Sequence, residues 1–249
     1  FMFAQSMRLP SDAYRLPPDW FPTTLDWTNY KTLFTSDLPM LNMLGNSALV
    51  TFSIIILRLI VAVLAAYAIA KIRYRGSNTV MVGFLASMML PIQATIIPLY
   101  IIMSNLGLVN TRMSLIIIGI FDSFCIFMLK QSMATIPDSI VESAKIDGAG
   151  HMRICWQIVV PMIKSSLATM VILIFNGTWN DYFLPYIFIS SWDKMTLPLG
   201  INALKGYMGS GNQSVILAAV SFAVTPILII FLFGQRYIVE GLTASAVKG

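Results

Sequence analysis

The 249-residue sequence predicts an all-α, polytopic helical membrane protein. Three observations lead there. Hydrophobic residues make up 57% of the chain and charged residues only 11%, whereas a soluble domain carries about a quarter charged residues. Mean hydropathy is +0.78. Apolar runs long enough to cross a bilayer as helices recur along the chain, and the Lys and Arg residues gather in the segments between them.

Residues 1–41 form the first part. FMFAQSM has no charged n-region or cleavage site, so it reads as the tail of a span rather than a signal peptide, and one more helix is expected in front of it. Arg8 to Leu41 is too polar to span. Its Trp20, Phe21, Trp27 and Tyr30 suit an external, interfacial segment.

Residues 42–249 are expected to form the transmembrane domain. Five full spans are predicted. The first, about Asn46 to Ala70, is followed at once by Lys71, Arg73 and Arg75, which mark the inner side. The second, about Thr79 to Met103, should be bent by Pro91 and Pro98 and interrupted by Gln93. Leu106 to Arg112 is a weakly charged outer turn. The third span, about Met113 to Leu129, ends at Lys130. The fourth runs about Ser165 to Ile189, and Ser190 to Gln213 reads as a glycine-bearing outer loop. The fifth, about Ser214 to Phe233, contains Pro226, and residues 235–249 form an inner tail. On this threading the inner segments hold Lys71, Arg73, Arg75, Lys130, Lys145, Arg153, Lys164, Arg236 and Lys248. The outer ones hold Arg8, Arg15, Lys31, Arg112, Lys194 and Lys205, a modest bias in the expected direction.

Between the third and fourth spans lies an inner loop, residues 135–164, whose core reads TIPDSIVESAKIDGAGHMRICWQIVVP. Ser139 and Glu142 have capping-box spacing, and Pro137 and Asp138 suit a helix entry. Ile140, Val141 and Ala144 fall on one side of that helix, with Ser139, Glu142 and Lys145 elsewhere. Gly148 can adopt a left-handed conformation and stop it. A second helical run, His151 to Val160, leads to Pro161. Two short helices should therefore meet at a Gly-Ala-Gly corner.

Polar groups inside spans are costly and face a cavity or another helix. Asn176 and Asn180 share a helix face, with Trp179 bordering it and Tyr182 close by. These side-chain types can stack on and hydrogen-bond a sugar. They serve equally well as interhelical hydrogen bonds and an aromatic belt. Arg58 and Asp122 sit near the middles of their spans, where each alone would cost roughly 2.5–3.5 kcal/mol on insertion scales. They are expected either to pair or to face the aqueous pathway. The alternative is that Arg58 finds backbone carbonyls and Asp122 caps a bend.

The string Glu142-Ser143-Ala144, Asp147-Gly148-Ala149, Ile158 and Pro161 resembles the EAA loop of ABC importer permeases, above all the carbohydrate, maltose-type branch. Ser143 stands where Ala is usual, and Cys155 where Phe is favoured. The likeness continues in Phe21, Pro22, Trp27, Asn29 and Tyr30, in Trp179-Asn180-x-Tyr182 with Pro185, and in the tail QRYIVEGLTASAVKG, so it covers Phe21 to Gly249. It implies a type I ABC importer permease fold in a bacterial cytoplasmic membrane. It implies a cytoplasmic coupling loop that docks a separate ATPase through Glu142, Ser143, Ala144, Asp147, Gly148, Ala149, Gly150 and Pro161. The family's C-terminal contacts carry over to Gln235, Arg236, Gly241, Lys248 and Gly249. Asn176, Trp179, Asn180 and Tyr182 become candidates for the pathway, although Asn176 is not part of the resemblance. The implied partners are a second, homologous permease, two ATP-binding subunits, an extracytoplasmic sugar-binding protein and a sugar, expected to be an oligosaccharide.

Several other classes fit poorly. Net charge is +5, but the charges lie in loops between spans, so nucleic acid is not implied. Cys125 and Cys155 lack metal-ligand spacing, and a disulfide between them is not expected. His151 is the only histidine, which excludes a His-based metal cluster. The chain has no Gly-x-x-x-x-Gly-Lys-Ser/Thr loop, so ATP is not expected to bind here, and no cofactor is expected. No Gly-x-Ser-x-Gly or paired-Asp constellation supports an enzyme. Two rivals remain. One is the same architecture for an amino acid or polyamine, for which only Arg58 and Asp122 offer a matching pathway charge. The other is an ion-coupled transporter that works without an ATPase.

Overall fold

The computed structural model describes residues 2–8, 25–35, 39–72, 74–207 and 213–246, with backbone only for 205–207 and 236–246. Every regular element among them is helical. In chain order these are α1 (Met2–Ser6), α2 (Thr28–Thr35), α3 (Met40–Lys71), α4 (Ser77–Met88), α5 (Ile92–Asn105), α6 (Arg112–Ile120) and α7 (Ser123–Ala134). After them come α8 (Asp138–Ile146), α9 (His151–Ile154), a π turn (Cys155–Val159), α10 (Val160–Met162), α11 (Lys164–Trp179) and α12 (Phe183–Phe188). A 3₁₀ turn (Trp192–Lys194), α13 (Leu197–Tyr207) and α14 (Gln213–Ala246) complete the chain.

Among the described residues three segments are long and apolar enough to cross a membrane, namely Met40–Lys71, Arg112–Ala134 and Gln213–Gln235; two bent pairs bring the number to as many as five. The 32 residues of α3 measure about 48 Å at 1.5 Å per residue, more than the ~30 Å hydrocarbon core requires.

The predicted second span is broken, not gently bent. α4 and α5 meet at 100°. Pro91 makes the corner as the extended residue before α5, whereas Pro98 lies inside α5 without ending it. A proline keeps the residue before it out of the helical region, and here the chain has already turned at Met89 and Leu90. The third span is also interrupted, at Phe121 and Asp122, and continues to Ala134. The predicted fourth span stops at Trp179. Asp181 then accepts hydrogen bonds from the backbone N–H groups of Phe183 (3.0 Å) and Leu184 (3.3 Å), and this turn starts α12. The segment read as an outer glycine loop instead contains the 11-residue α13, and the predicted tail continues α14 to Ala246.

The chain divides into two compact units. One comprises Phe1–Val50, Leu108–Leu115 and Trp179–Leu232; the other comprises Thr51–Gly107, Ile116–Thr178 and Phe233–Gly249. In the first unit the segment leading into α13 is tied down by side chains. Asn46 Nδ2 donates to the carbonyls of Asp193 (2.8 Å) and Met195 (2.9 Å), and Ser47 Oγ accepts from Leu197 N (2.8 Å). Asn110 has a left-handed backbone, φ 59°, which an Asn tolerates better than most residues. Its Oδ1 accepts from the N–H groups of Ser190 (3.1 Å) and Ser191 (3.0 Å), and its Nδ2 donates to Ser191 Oγ (2.6 Å). Near the start of the chain, Asn29 Nδ2 donates to the carbonyls of Ser6 (3.0 Å) and Arg8 (2.7 Å). Trp20 and Phe21, read as interfacial aromatics, lie outside the described residues.

In the second unit, hydroxyl pairs join helices. Ser87 and Ser123 are 2.6 Å apart, and Ser132 donates to Ser166 at 2.8 Å. Gly119 packs against Ile54 so closely that an added Cβ would stand 2.5 Å from Ile54 Cδ1.

Candidate functional site

The hairpin within residues 135–164 belongs to the second unit. α8 starts at Asp138 with Pro137 as its N-cap residue and no side-chain cap. The expected capping box is therefore absent. Ser139 is already inside the helix, two residues past the capping position held by Pro137. The end of α8 forms as anticipated. Gly148 has φ 80°, Gly148 N–H donates to the Lys145 carbonyl (3.0 Å), and Ala149 N–H donates to the Ala144 carbonyl (2.9 Å). This is a Schellman closure, which satisfies the last free carbonyls of the helix.

Val141 and Ala144 are buried, while Glu142, Ser143, Lys145, Asp147, Gly148 and Gly150 are exposed and Ala149 is half-buried. Ile146 is 85% exposed and Met152 61% exposed. The tip of the hairpin thus presents polar groups around two bare apolar side chains. Ala144, named as a docking candidate, is buried in this chain. Pro161 is exposed but lies beyond the corner, after the π turn, in which Val160 N–H reaches back to the Cys155 carbonyl. Such a turn accommodates the N–H that Pro161 lacks. Cys155, at the position where Phe was expected, is fully buried. Gln235 is exposed. Lys248 and Gly249 lie outside the described residues, as does the side chain of Arg236, and Gly241 is described by its backbone alone.

The base of the hairpin is held by residues that the sequence had not singled out as functional. Lys71 Nζ, at the last residue of α3, donates to the Ile136 carbonyl (2.6 Å) and to Asp138 Oδ1 (2.8 Å). Tyr67 Oη lies 3.2 Å from His151 Nδ1. A cleft of about 400 Å³ opens here, lined by Lys71, Ser77, Asp138, Glu142, Lys145 and His151 with the end of α3 and Val141. Lys71 was visible only as a marker of sidedness. Its spacing of four from Tyr67 was the available signal, because it puts both on one face.

Arg58 and Asp122 do pair, in the same unit. Arg58 Nη1 is 2.9 Å from Asp122 Oδ2. The alternatives occur alongside the pair: Arg58 Nε donates to the Gly119 carbonyl (2.6 Å), and Asp122 Oδ1 caps α7 by accepting from Phe124 N (2.8 Å) and Cys125 N (3.2 Å). One carboxylate thus closes the break between α6 and α7 and neutralises the guanidinium.

In the first unit, Trp179, Asn180 and Tyr182 line a cavity of about 320 Å³ together with Pro198, Ile201, Asn202, Val220, Ala223 and Val224. Asn202 Nδ2 donates to Tyr182 Oη (2.8 Å), and the rings of Tyr182 and Tyr186 stack at 5.4 Å. Trp179 is buried, with its indole N–H on the Ala223 carbonyl (3.0 Å). Asn176 is exposed, belongs to the other unit and is not part of this lining. Asn202 was missed because α13 was read as loop. No charged side chain lines the cavity. Among the described residues no group of His, Cys, Asp and Glu is arranged to hold a metal.

Apolar helices broken at polar joints, with a polar hairpin among them, have the form of a multi-pass membrane protein. The chain belongs to the binding-protein-dependent transport system inner membrane component family, whose profile matches residues 58–243. It is 32% identical over 228 residues to the arabinooligosaccharides transport system permease protein AraQ of Halalkalibacterium halodurans, covering 92% of this chain and 81% of that one. It is 30% identical over 241 residues to the sn-glycerol-3-phosphate transport system permease protein UgpE of Yersinia pestis, covering 94% and 86%. Its fold matches a chain of a bacterial ABC transporter involved in import of the acidic polysaccharide alginate, with TM-score 0.83 over 95% of this chain and 88% of that one, at 24% identity. The protein is therefore an inner-membrane transport component of a binding-protein-dependent system, not an enzyme.

Proposed function

We propose that this chain is the membrane-spanning permease subunit of an ATP-driven sugar importer and forms half of the translocation pathway. The observation that carries the reading is the hairpin tip. A Schellman-closed helix exposing Glu142, Ser143, Ile146 and Asp147, inside the family-matched region, has the form of a short rigid lever. Helix-in-groove recognition uses such projecting faces. On this reading two ATP-hydrolysing subunits grip the tips of this chain and of a second, homologous permease. ATP-driven closure moves the levers, and the spans alternate between outward and inward access. An extracytoplasmic binding protein delivers the solute.

Sugar is the favoured solute class for two reasons. The cavity beside Trp179 offers an aromatic face, amides and a phenol, and no fixed charge lines it. The arabinooligosaccharide permease is among the relatives. The glycerol phosphate relative keeps a charged solute as the second reading. Against it, Arg58 is matched by Asp122.

The test is ATP hydrolysis by the purified complex in proteoliposomes, with its binding protein and either arabinotriose, glycerol 3-phosphate or spermidine. Stimulation by the neutral oligosaccharide alone supports the proposal. Stimulation by only the charged solutes overturns the sugar assignment, and uptake that persists without the ATPase overturns the ATP-driven one.

A further inference from the structure

The hairpin has two limbs, α8 and α9, and the first residue of each is held by the same face of α3. Lys71 takes Asp138, the first residue of α8, at 2.8 Å and the carbonyl of Ile136 at 2.6 Å, so it grips the chain on both sides of the Pro137 entry. Tyr67, one turn earlier, takes His151, the first residue of α9, at 3.2 Å, and their rings meet edge to face at 6.1 Å. No covalent continuity requires these contacts, since more than sixty residues of sequence separate α3 from the hairpin.

The Lys71 side chain is only 2% exposed, while Asp138 is 56% exposed. A buried ammonium needs its partners; a half-exposed carboxylate needs them less. Lys71 suits the C-terminal end of α3, where the helix dipole favours a cation. It sits poorly against the N-terminal end of α8, where the dipole disfavours one, unless Asp138 offsets it. The pair is therefore specific to this junction. The tip of the hairpin, by contrast, is exposed. Force applied at the tip must leave through whatever holds the base.

We propose that Lys71 and Tyr67 are positioning residues that carry motion of the hairpin into α3, so that α3 moves with the lever although it is remote from it in sequence. The inference rests on the docking reading above. It adds an output route that neither the sequence pattern nor the family match assigns.

The experiment uses the assembled complex with two reporters. Cysteine at Ser143 (Ser143→Cys) reports docking by crosslinking to the ATPase. Cysteine at Ile56 (Ile56→Cys), on an exposed position of α3, carries an environment-sensitive fluorophore read before and after trapping with MgATP and vanadate. The native Cys125 and Cys155 are buried and do not compete for label. In the unaltered background the Ile56 reporter shifts on trapping. Lys71→Met reduces that shift by about five-fold or more, the lower end of ordinary coupling between sites, while the Ser143 crosslink persists. Lys71→Arg keeps the cation and retains most of the shift. Lys71→Asp combined with Asp138→Lys recovers more of it than either change alone.

A shift in Lys71→Met within about two-fold of the unaltered protein, or no shift at all in the unaltered protein, overturns the proposal, because coupling of the size expected would not be present. Should Lys71→Met fail to assemble, Tyr67→Phe decides: it removes one hydroxyl, and an unchanged shift overturns the proposal. Absence of the crosslink from Ser143→Cys with Lys71 and Tyr67 intact instead overturns the docking reading, so the two failures are distinct.

Discussion

Replacing Gly148 by Ala tests the corner of the hairpin most sharply. Gly148 has φ 80°, and an added Cβ would meet nothing within 4 Å. The substitution therefore carries no clash with neighbouring groups. Its whole cost is the left-handed backbone, about 1–2 kcal/mol for an L-residue. If the chain escapes that strain by unwinding, it loses the bonds from Gly148 N–H to Lys145 and from Ala149 N–H to Ala144. These are worth about 0.5–1.5 kcal/mol each, so the cost remains in the same range either way. Gly150 is the internal control. Its Cβ would also meet nothing within 4 Å, but its φ is −73°. Gly150→Ala should be neutral or stabilising by about 0.4–1 kcal/mol through the unfolded chain. Amide hydrogen exchange at Asp147 to Ala149 reads the difference directly. Gly148→Ala should accelerate it by about 5–30-fold, the factor that one to two kcal/mol represents. Gly150→Ala should not accelerate it, and Gly148→Asn should fall between. Equal acceleration by the two alanines would refute the assignment of strain to Gly148.

Other expectations can be checked by thermal unfolding or uptake. Asp122→Asn removes the charge but keeps an acceptor for Phe124 and Cys125, so it should be milder than Asp122→Leu by about 1 kcal/mol, the value of a helix cap. Arg58→Leu and Asp122→Leu should each destabilise by roughly 2.5–3.5 kcal/mol, and the double variant by less than their sum, because neither then leaves a lone charge. Asn46→Ala should lower stability by about 1–3 kcal/mol, since the carbonyls of Asp193 and Met195 lose a buried donor. Tyr182→Phe, which removes the partner of Asn202, should raise the apparent KM for solute in reconstituted uptake more than it lowers kcat.

The parts of the fold legible in the sequence were those governed by local rules. The inward face of α8, with Val141 and Ala144, follows from helical periodicity, and the stop at Gly148 follows from its missing Cβ. The entry to α8 was legible in Pro137 and Asp138, where the helix does start, but the way it is held was not. Lys71, 67 positions away in sequence, bonds Asp138, and a capping-box pattern carries no information about such a partner. The breaks in the spans had a shared signal that hydropathy averages away. Asp122 and Asp181 each stand two residues before a Phe, and each carboxylate accepts the N–H groups two and three positions on. An Asp so placed starts a new helix inside an apolar run. α13 was hidden by its glycines, whose low propensity says nothing of Ser47, which takes the first N–H of the helix, or of Asn46, which ties the segment leading into it. At the candidate pathway, Trp179, Asn180 and Tyr182 were singled out by residue type and family likeness, and they line one cavity. Asn202 and Pro198 reach the same cavity only because α13 forms. Asn176 matched by periodicity, but the helix ends at Trp179, so the face it was to share with Asn180 is not continued.

Cysteine placed at Ser143 and crosslinked in intact cells tests the central claim most directly. The account predicts one dominant adduct, with a nucleotide-hydrolysing subunit, and protection of Ser143→Cys from membrane-impermeant thiol reagents added outside. Labelling of that thiol from outside, with no ATPase captured, would contradict it.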